Sequence, residues 1–226
     1  MQAGNTQGWS RALIAVMLGA LAANAEAQRI PGYPPDVYDY DPRETALLPP
    51  YCKHTQAFRE VVPGGDDQQA IRHWEQIMGA DNYLHMHHYC LGLMHLNRAR
   101  ILARDTQTRN YHFSRAIGEI DYVLRNARHD FFMRPEMLTR RGEALVGLKQ
   151  GPRAVADFEA AIAAKPDYWP AYAQLSDFHR SLGDLGKARE VLEAGLKHAP
   201  DSKGLRRRLE ELEQEMKKPS TKGPGR

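Results

Sequence analysis

The 226-residue chain predicts an all-α fold: a short solenoid of about three helix pairs, preceded by an irregular and helical extension and closed by a C-terminal capping helix. Three observations carry this expectation. Ala154, Phe158, Ala161 and Pro166 recur 34 residues later as Ala188, Leu192, Gly195 and Pro200. The same shift carries Leu138 onto Tyr172, Gly142 onto Ser176 and Leu145 onto His179, so a whole helix–turn–helix unit is repeated. A period of this length marks a stacked array rather than a compact enzyme core. Beyond the last copy, Leu205, Leu209, Leu212 and Met216 form one helical stripe, as expected of a helix that covers the array's open end.

Taken in order, residues 1–27 read as a secretory signal. Arg11 precedes an apolar run from Ala12 to Ala23, and Ala25-Glu26-Ala27 fits the small-x-small cleavage rule. The run is about a dozen residues, shorter than the roughly 20 that span a bilayer. No cysteine follows the cut, so lipid attachment there is not available. The expected mature protein is soluble and exported, and the leader together with the repeat type suggests a bacterial periplasm. Residues 28–50 are rich in proline and tyrosine and have no helical period, so they are extended or irregular. Their tyrosines suit a strap packed along a groove; a flexible linker has the same local signature. Residues 51–80 form a helical extension. Its first part, from Tyr51 to Val62, is ended by Pro63-Gly64-Gly65. Asp66 or Asp67 then caps a helix with Ile71, Trp74, Ile77 and Met78 on one side, and Gly79 stops it.

A divergent first unit is expected over 81–134, where His88-x2-Leu91-Gly92-x2-His95 repeats the pattern of Leu138-x2-Arg141-Gly142-x2-Leu145. Ala116-x3-Ile120 stands for Ala154-x3-Phe158, but Gly92 to Ala116 is 24 residues where Gly142 to Ala154 is 12. This copy is therefore stretched, and no proline closes it. Regular units follow over 135–168 and 169–202, then the capping helix over 203–218 and a disordered tail over 219–226. In each regular unit a small residue at the helix crossing lets the backbones approach to about 8–10 Å. Gly142 with Ala154 and Ala161, and Ser176 with Ala188 and Gly195, meet that need. Arg141 stands where the next copy has Leu175, so its guanidinium either escapes to the surface or pairs with an acid.

The formal charge of +3 is too weak to argue for nucleic acid. Lys203, Arg206, Arg207 and Arg208 and the basic tail are interleaved with Glu210, Glu211, Glu213 and Glu215, which reads as a solvated helix face; contact with anionic lipid headgroups is the lesser reading. Cys52 and Cys90 are the only cysteines. In an oxidising compartment they offer one intramolecular pairing, worth about 3–4 kcal/mol by loop entropy. Free thiols or an intermolecular bridge are the alternatives.

One cluster offers metal chemistry: His85, His87 and His88, with Met86 and Cys90 close by. On a helix these ligands split between faces, and a bridged Cys90 supplies no thiolate. His88 and His95 occupy packing positions of the repeat, which favours core histidines that donate to a carbonyl or carboxylate. No phosphate loop, nucleophile elbow or metalloprotease motif is present, so no catalytic residues and no cofactor are expected.

The copies Leu138-x2-Arg141-Gly142-x2-Leu145, Ala154-x3-Phe158, Pro166 and Tyr172-x2-Leu175-Ser176-x2-His179, Ala188-x3-Leu192, Pro200 resemble the tetratricopeptide repeat family. The resemblance implies a right-handed solenoid whose first helices line a concave groove. Carried over position by position, that groove holds Met86, Tyr89, Leu93, Leu96 and Asn97 in the first unit. It holds Glu136, Thr139, Glu143 and Val146 in the second, and Ala173, Asp177, Arg180 and Ser181 in the third. The implied role is a non-catalytic scaffold gripping a partner protein segment of an envelope assembly. The alternative is a metal- or redox-linked binding protein using the histidine cluster.

Overall fold

Proline and glycine punctuate the helices of the computed structural model, which describes residues 42–217. The leader, residues 28–41 of the proline- and tyrosine-rich segment, and the tail lie outside the described residues. Eight helices form the body of the described chain: α1 (Gln68–Met78), α2 (Ala80–Asn97), α3 (Thr106–Asn126), α4 (Arg134–Gly147), α5 (Gly151–Ala164), α6 (Trp169–Ser181), α7 (Leu185–His198) and α8 (Lys203–Lys217). Pro135, Pro152 and Pro170 stand in the first turns of α4, α5 and α6, where the missing N–H leaves no bond unmade. Asp67, Asp105 and Asp184 cap α1, α3 and α7 by accepting from backbone amides of the first turn. Lys165 and Ala199, each followed by proline, leave the helical region and end α5 and α7.

Helices α2 and α3, α4 and α5, and α6 and α7 pack as antiparallel pairs, and each pair stacks on the next, with α8 closing the end against α6 and α7. This is the all-α helix-pair solenoid that the 34-residue period predicts. Small residues sit at the crossings for a steric reason: a Cβ on Gly142 would stand 2.5 Å from the Phe158 ring, and one on Gly195 would stand 2.8 Å from Leu205 and Tyr172. In the last pair the Ser176 hydroxyl adds a bond, donating to the Ala188 carbonyl at 2.9 Å. Leu145, Phe158, Leu192 and Leu205 are fully buried between the layers.

The stretch in the first pair goes into longer helices, not a longer loop. α2 and α3 have 18 and 21 residues, against 14 each for α4 and α5, and a π turn over Arg98–Leu102 extends α2 further. In place of a closing proline, side chains take the last groups of α3: Asn126 Nδ2 donates to the Tyr122 carbonyl and Arg134 Nη1 to the Leu124 carbonyl. Tyr51 to Val62 is not one helix. It is a 3-10 turn, Pro50–His54, and a single α turn, Gln56–Arg59, broken at Thr55, whose extended backbone and hydroxyl bond to the Cys52 carbonyl end the first turn.

Arg141 resolves as a pairing residue. Its guanidinium forks onto Asp157 of α5, at 2.8 and 2.6 Å, and also bonds Asp121 of α3, tying three helices. Arg141→Met strands Asp157, whose side chain is 9% exposed. The expected loss is about 2–3 kcal/mol, below the full cost of breaking a buried pair because Arg141 and Asp121 keep partial solvent access; urea denaturation measures it.

The turns inside the two regular pairs share one backbone shape. Lys149 has φ 60° and its counterpart 34 residues on, Gly183, has φ 79°. Left-handed backbone costs an L-residue roughly 1–2 kcal/mol, part of which glycine gives back as unfolded-chain entropy. Lys149→Gly is therefore expected to stabilise the protein by about 0.5–1 kcal/mol, read from a higher urea midpoint at unchanged slope.

Candidate functional site

The first helices of successive pairs, α2, α4 and α6, pack side by side, and the α2 end of this row is covered by the chain itself. Residues 42–55 form a strap across α2. Glu44 accepts from Arg98 Nε and Nη2 at 2.6 and 2.7 Å, a two-pronged ion pair at the π turn. Farther along, Leu48, Tyr51 and Cys52 are buried, and Cys52 is bridged to Cys90 of α2 with Cα atoms 5.6 Å apart. The Tyr51 ring meets Trp74 of α1 edge-on at 5.6 Å. Gly65 closes the strap's far end: its carbonyl bonds His54 Nδ1 at 2.9 Å, and a Cβ there would lie 2.6 Å from the Lys53 carbonyl and the Arg59 backbone.

This cover changes the standing of the first-unit groove residues. Met86 and Tyr89 have no exposed surface, Leu96 has 1% and Leu93 has 8%. They are core and seat for the strap, not free groove surface. Thr139 and Glu143 of α4 are buried as well; the Thr139 hydroxyl is satisfied by donating to the Pro135 carbonyl, and the Glu143 carboxylate by Arg100 and Arg140. Asn97, Glu136 and Val146 are half-buried, as are Asp177 and Arg180, while Ala173 is buried and Ser181 is exposed.

A polar seam runs where strap, α2 and α4 meet. Tyr89 Oη donates to Glu136 at 2.8 Å. Glu143 accepts from Arg100 of the π turn at 2.6 Å and from Arg140 at 3.2 Å. Burial, then the nearby Glu136 carboxylate, pushes the Tyr51, Tyr89 and Tyr168 phenols well above their ordinary value, so they stay neutral hydrogen-bonding groups. Along this seam lies a cavity of about 320 Å³. Leu47, Leu48 and Pro49 of the strap line it, with Leu93, Leu96 and Asn97 of α2; Arg100, Glu136 and Arg140 supply its charged border. Towards the other end, Asp177 and Arg180 of α6 pair with Arg208 and Glu215 of α8 at 3.1 and 2.6 Å.

Glu44, Arg100, Arg140 and Tyr168 belong to this region and carry no signal in the repeat pattern. Arg98 and Glu44 are 54 positions apart, and only the strap's path brings them together.

The histidine cluster does not converge. His85 meets the Tyr122 ring edge-on, His87 donates Nδ1 to the Leu84 carbonyl, and His88 lies against Tyr122 with Nδ1 2.6 Å from Glu119. Cys90 is bridged, and no group of three His, Cys, Asp or Glu side chains among the described residues is arranged to hold a metal ion. Deeper in the first pair, His95 and His112 face each other through Nδ1 atoms 2.9 Å apart.

Residues 145–209 match the tetratricopeptide repeat family. The match spans the second half of one regular helix pair, all of the next and the start of α8. The fold extends further: a thermophilic tetratricopeptide repeat protein of Thermus thermophilus superposes on 89% of this chain and 96% of its own, with a TM-score of 0.52 and 18% identity. Among sequences, the Hsp70-Hsp90 organizing protein of Triticum aestivum is 30% identical over 113 residues, half of this chain but 18% of that protein. The first tetratricopeptide domain of Spaghetti (RPAP3), solved with the HSP90 peptide SRMEEVD, covers 57% of this chain and 98% of its own at a TM-score of 0.41 and 18% identity, too distant to align groove residues. Among the described residues no helix is long and apolar enough to cross a membrane.

Proposed function

We propose that the protein is a non-catalytic adaptor of an exported compartment, the bacterial periplasm or cell envelope, that holds an extended segment of a partner protein on its concave tetratricopeptide face. One observation carries this reading: the α2 end of that face already holds a proline-containing stretch of polypeptide, the strap, a bend between two single helical turns, by the means such a groove uses. Apolar side chains are seated, an acid is paired and the backbone runs across the helix. Past the strap, α4, α6 and α8 offer half-exposed Glu136, Asp177, Arg180 and Arg208, a mixed-charge surface suited to a segment with charged ends.

Two further points support it. The buried Cys52–Cys90 bridge suits an oxidising compartment. The relative in wheat carries a name that describes organizing Hsp70 and Hsp90, which is adaptor work. The test is co-purification from envelope extracts with Asp177→Lys and Arg180→Glu combined. Loss of captured partners at unchanged helical circular dichroism is the expected result, and an unchanged set of partners sinks the groove reading. For localisation, N-terminal sequencing of the mature protein should begin at Gln28; a chain that still starts at Met1 counts against export by signal cleavage.

A further inference from the structure

We propose that one end of the helix row, where the turns inside the pairs meet the last turn of α8, is a contact edge for an anionic phospholipid bilayer. This goes beyond the adaptor reading and concerns a different surface. Because the helices alternate in direction, the α2–α3, α4–α5 and α6–α7 turns all fall at the same end. Close contacts fix it. A Cβ on Gly147, the last residue of α4, would strike the Phe113 ring near the start of α3, and one on Gly151, the first residue of α5, would strike Phe178 near the end of α6. Arg180 of α6 pairs with Glu215, so α8 also ends here.

Two properties coincide at this end. Leu182 at 66% and Ile101 at 63% are the most exposed large apolar side chains among the described residues, and both stand in its turns; Leu102 and Met216 are exposed there as well. Cations share the edge. Arg104, Lys149, Arg153 and Lys217 are exposed and make no ion pair among the described residues. The acids of this end are already engaged: Asp105 and Asp184 accept from first-turn amides, Arg100 holds Glu143, Arg180 holds Glu215 and Lys187 holds Glu190. In the sequence Lys218 and Lys222 follow. The opposite end is different, since each of its turns carries an exposed aspartate, Asp130, Asp167 and Asp201.

Apolar tips and cations together select the occupant. A nucleic acid or soluble polyanion would use the cations and leave Ile101 and Leu182 in water. A folded protein partner fits a continuous apolar patch, whereas these side chains stand on separate turns. A bilayer interface accepts separate tips at the boundary between headgroups and acyl chains. When anionic it also attracts cations within about a Debye length, roughly 8 Å at physiological salt. The contact is peripheral, made by turn tips and reversible.

The experiment uses the full chain as its host processes it, sedimented with vesicles of phosphatidylcholine alone or of phosphatidylcholine mixed with phosphatidylglycerol. The protein should bind the mixed vesicles more tightly than the neutral ones, and raised salt should release it. Ile101→Ser with Leu182→Ser should weaken that binding about fivefold or more, and Lys149→Glu with Arg153→Glu about tenfold or more, at an unchanged thermal midpoint. Lys165→Glu with Lys203→Glu, an equal change of net charge at the opposite end, should leave it unaltered. Equal losses from the two charge reversals overturn the edge and leave net charge alone as the cause. Loss from Lys149→Glu, Arg153→Glu with none from the serine pair points to a soluble polyanion and overturns the bilayer. Equal binding to neutral vesicles, or no binding to either kind, overturns the proposal outright.

Discussion

Reduction of the Cys52–Cys90 bridge is expected to lower the thermal midpoint by roughly 8–16 °C. The bridge joins residues 38 positions apart, and the chain-entropy account of such a loop gives about 4 kcal/mol. For a domain of this size each kcal/mol moves the midpoint by roughly 2–4 °C. The effect is not only on the unfolded chain. Once opened, the strap is held by Glu44 on Arg98 and by the burial of Leu48 and Tyr51, and the face of α2 carrying Leu93 and Leu96 depends on its staying down. Calorimetry of the oxidised protein, the reduced protein and a Cys52→Ser, Cys90→Ser variant tests this. A midpoint that moves by less than about 2 °C would mean that packing alone seats the strap. Because Cys52 and Cys90 are 1% and 0% exposed, reduction of the native protein should be slow until denaturant opens the strap.

Acidification from pH 6.5 to pH 5 should cost about 3 kcal/mol through the His95–His112 pair. Both rings are buried, and their Nε2 atoms have no partner among the described residues. Burial is the first cause that pulls both below the usual histidine range, His95 to about 3 and His112 to about 4. His112, Arg98 and Arg115 add to the effect on His95; Arg98 adds to that on His112, against a smaller opposing pull from Glu44. In the unfolded chain both titrate near 6.5. Between that value and the folded ones, the unfolded state binds two protons that the folded state refuses, so stability falls as pH falls, by about 1.4 kcal/mol per pH unit for each ring. Below about pH 4 the folded state takes up protons too and the slope flattens. Urea denaturation at pH 7, 6 and 5 measures the slope, and a His95→Phe, His112→Leu variant should lose most of it. An equal slope in that variant would move the acid sensitivity elsewhere.

Much of the fold is legible because a repeat states its constraint more than once. Gly142 and Ser176, Ala154 and Ala188, Pro166 and Pro200 each answer one local demand: close approach of two helices, or a helix end. Local demands of this kind leave residue types at fixed spacing. The lengthening of the first pair is visible as extra residues between Gly92 and Ala116, but spacing alone does not say that they enter the helices and a π turn. The groove positions are legible only as positions. The repeat assigns Met86, Tyr89 and Leu93 to the groove, and nothing in their own neighbourhood tells that they are buried in the folded chain. The same holds for Glu143, whose burial comes from Arg100 on the π turn and Arg140 one turn away.

By itself, then, the sequence determined the all-helical class, the 34-residue helix pair, the capping stripe and the one cysteine pairing available within the chain, because periodicity, small-residue crossings and proline stops act over a few turns. Only the tertiary structure decided which surface is open. A strap distant in sequence crosses α2, pairs Glu44 with Arg98, buries the first-unit face and leaves a cavity at its edge, and contacts over that distance depend on the path of the whole chain rather than on any local pattern.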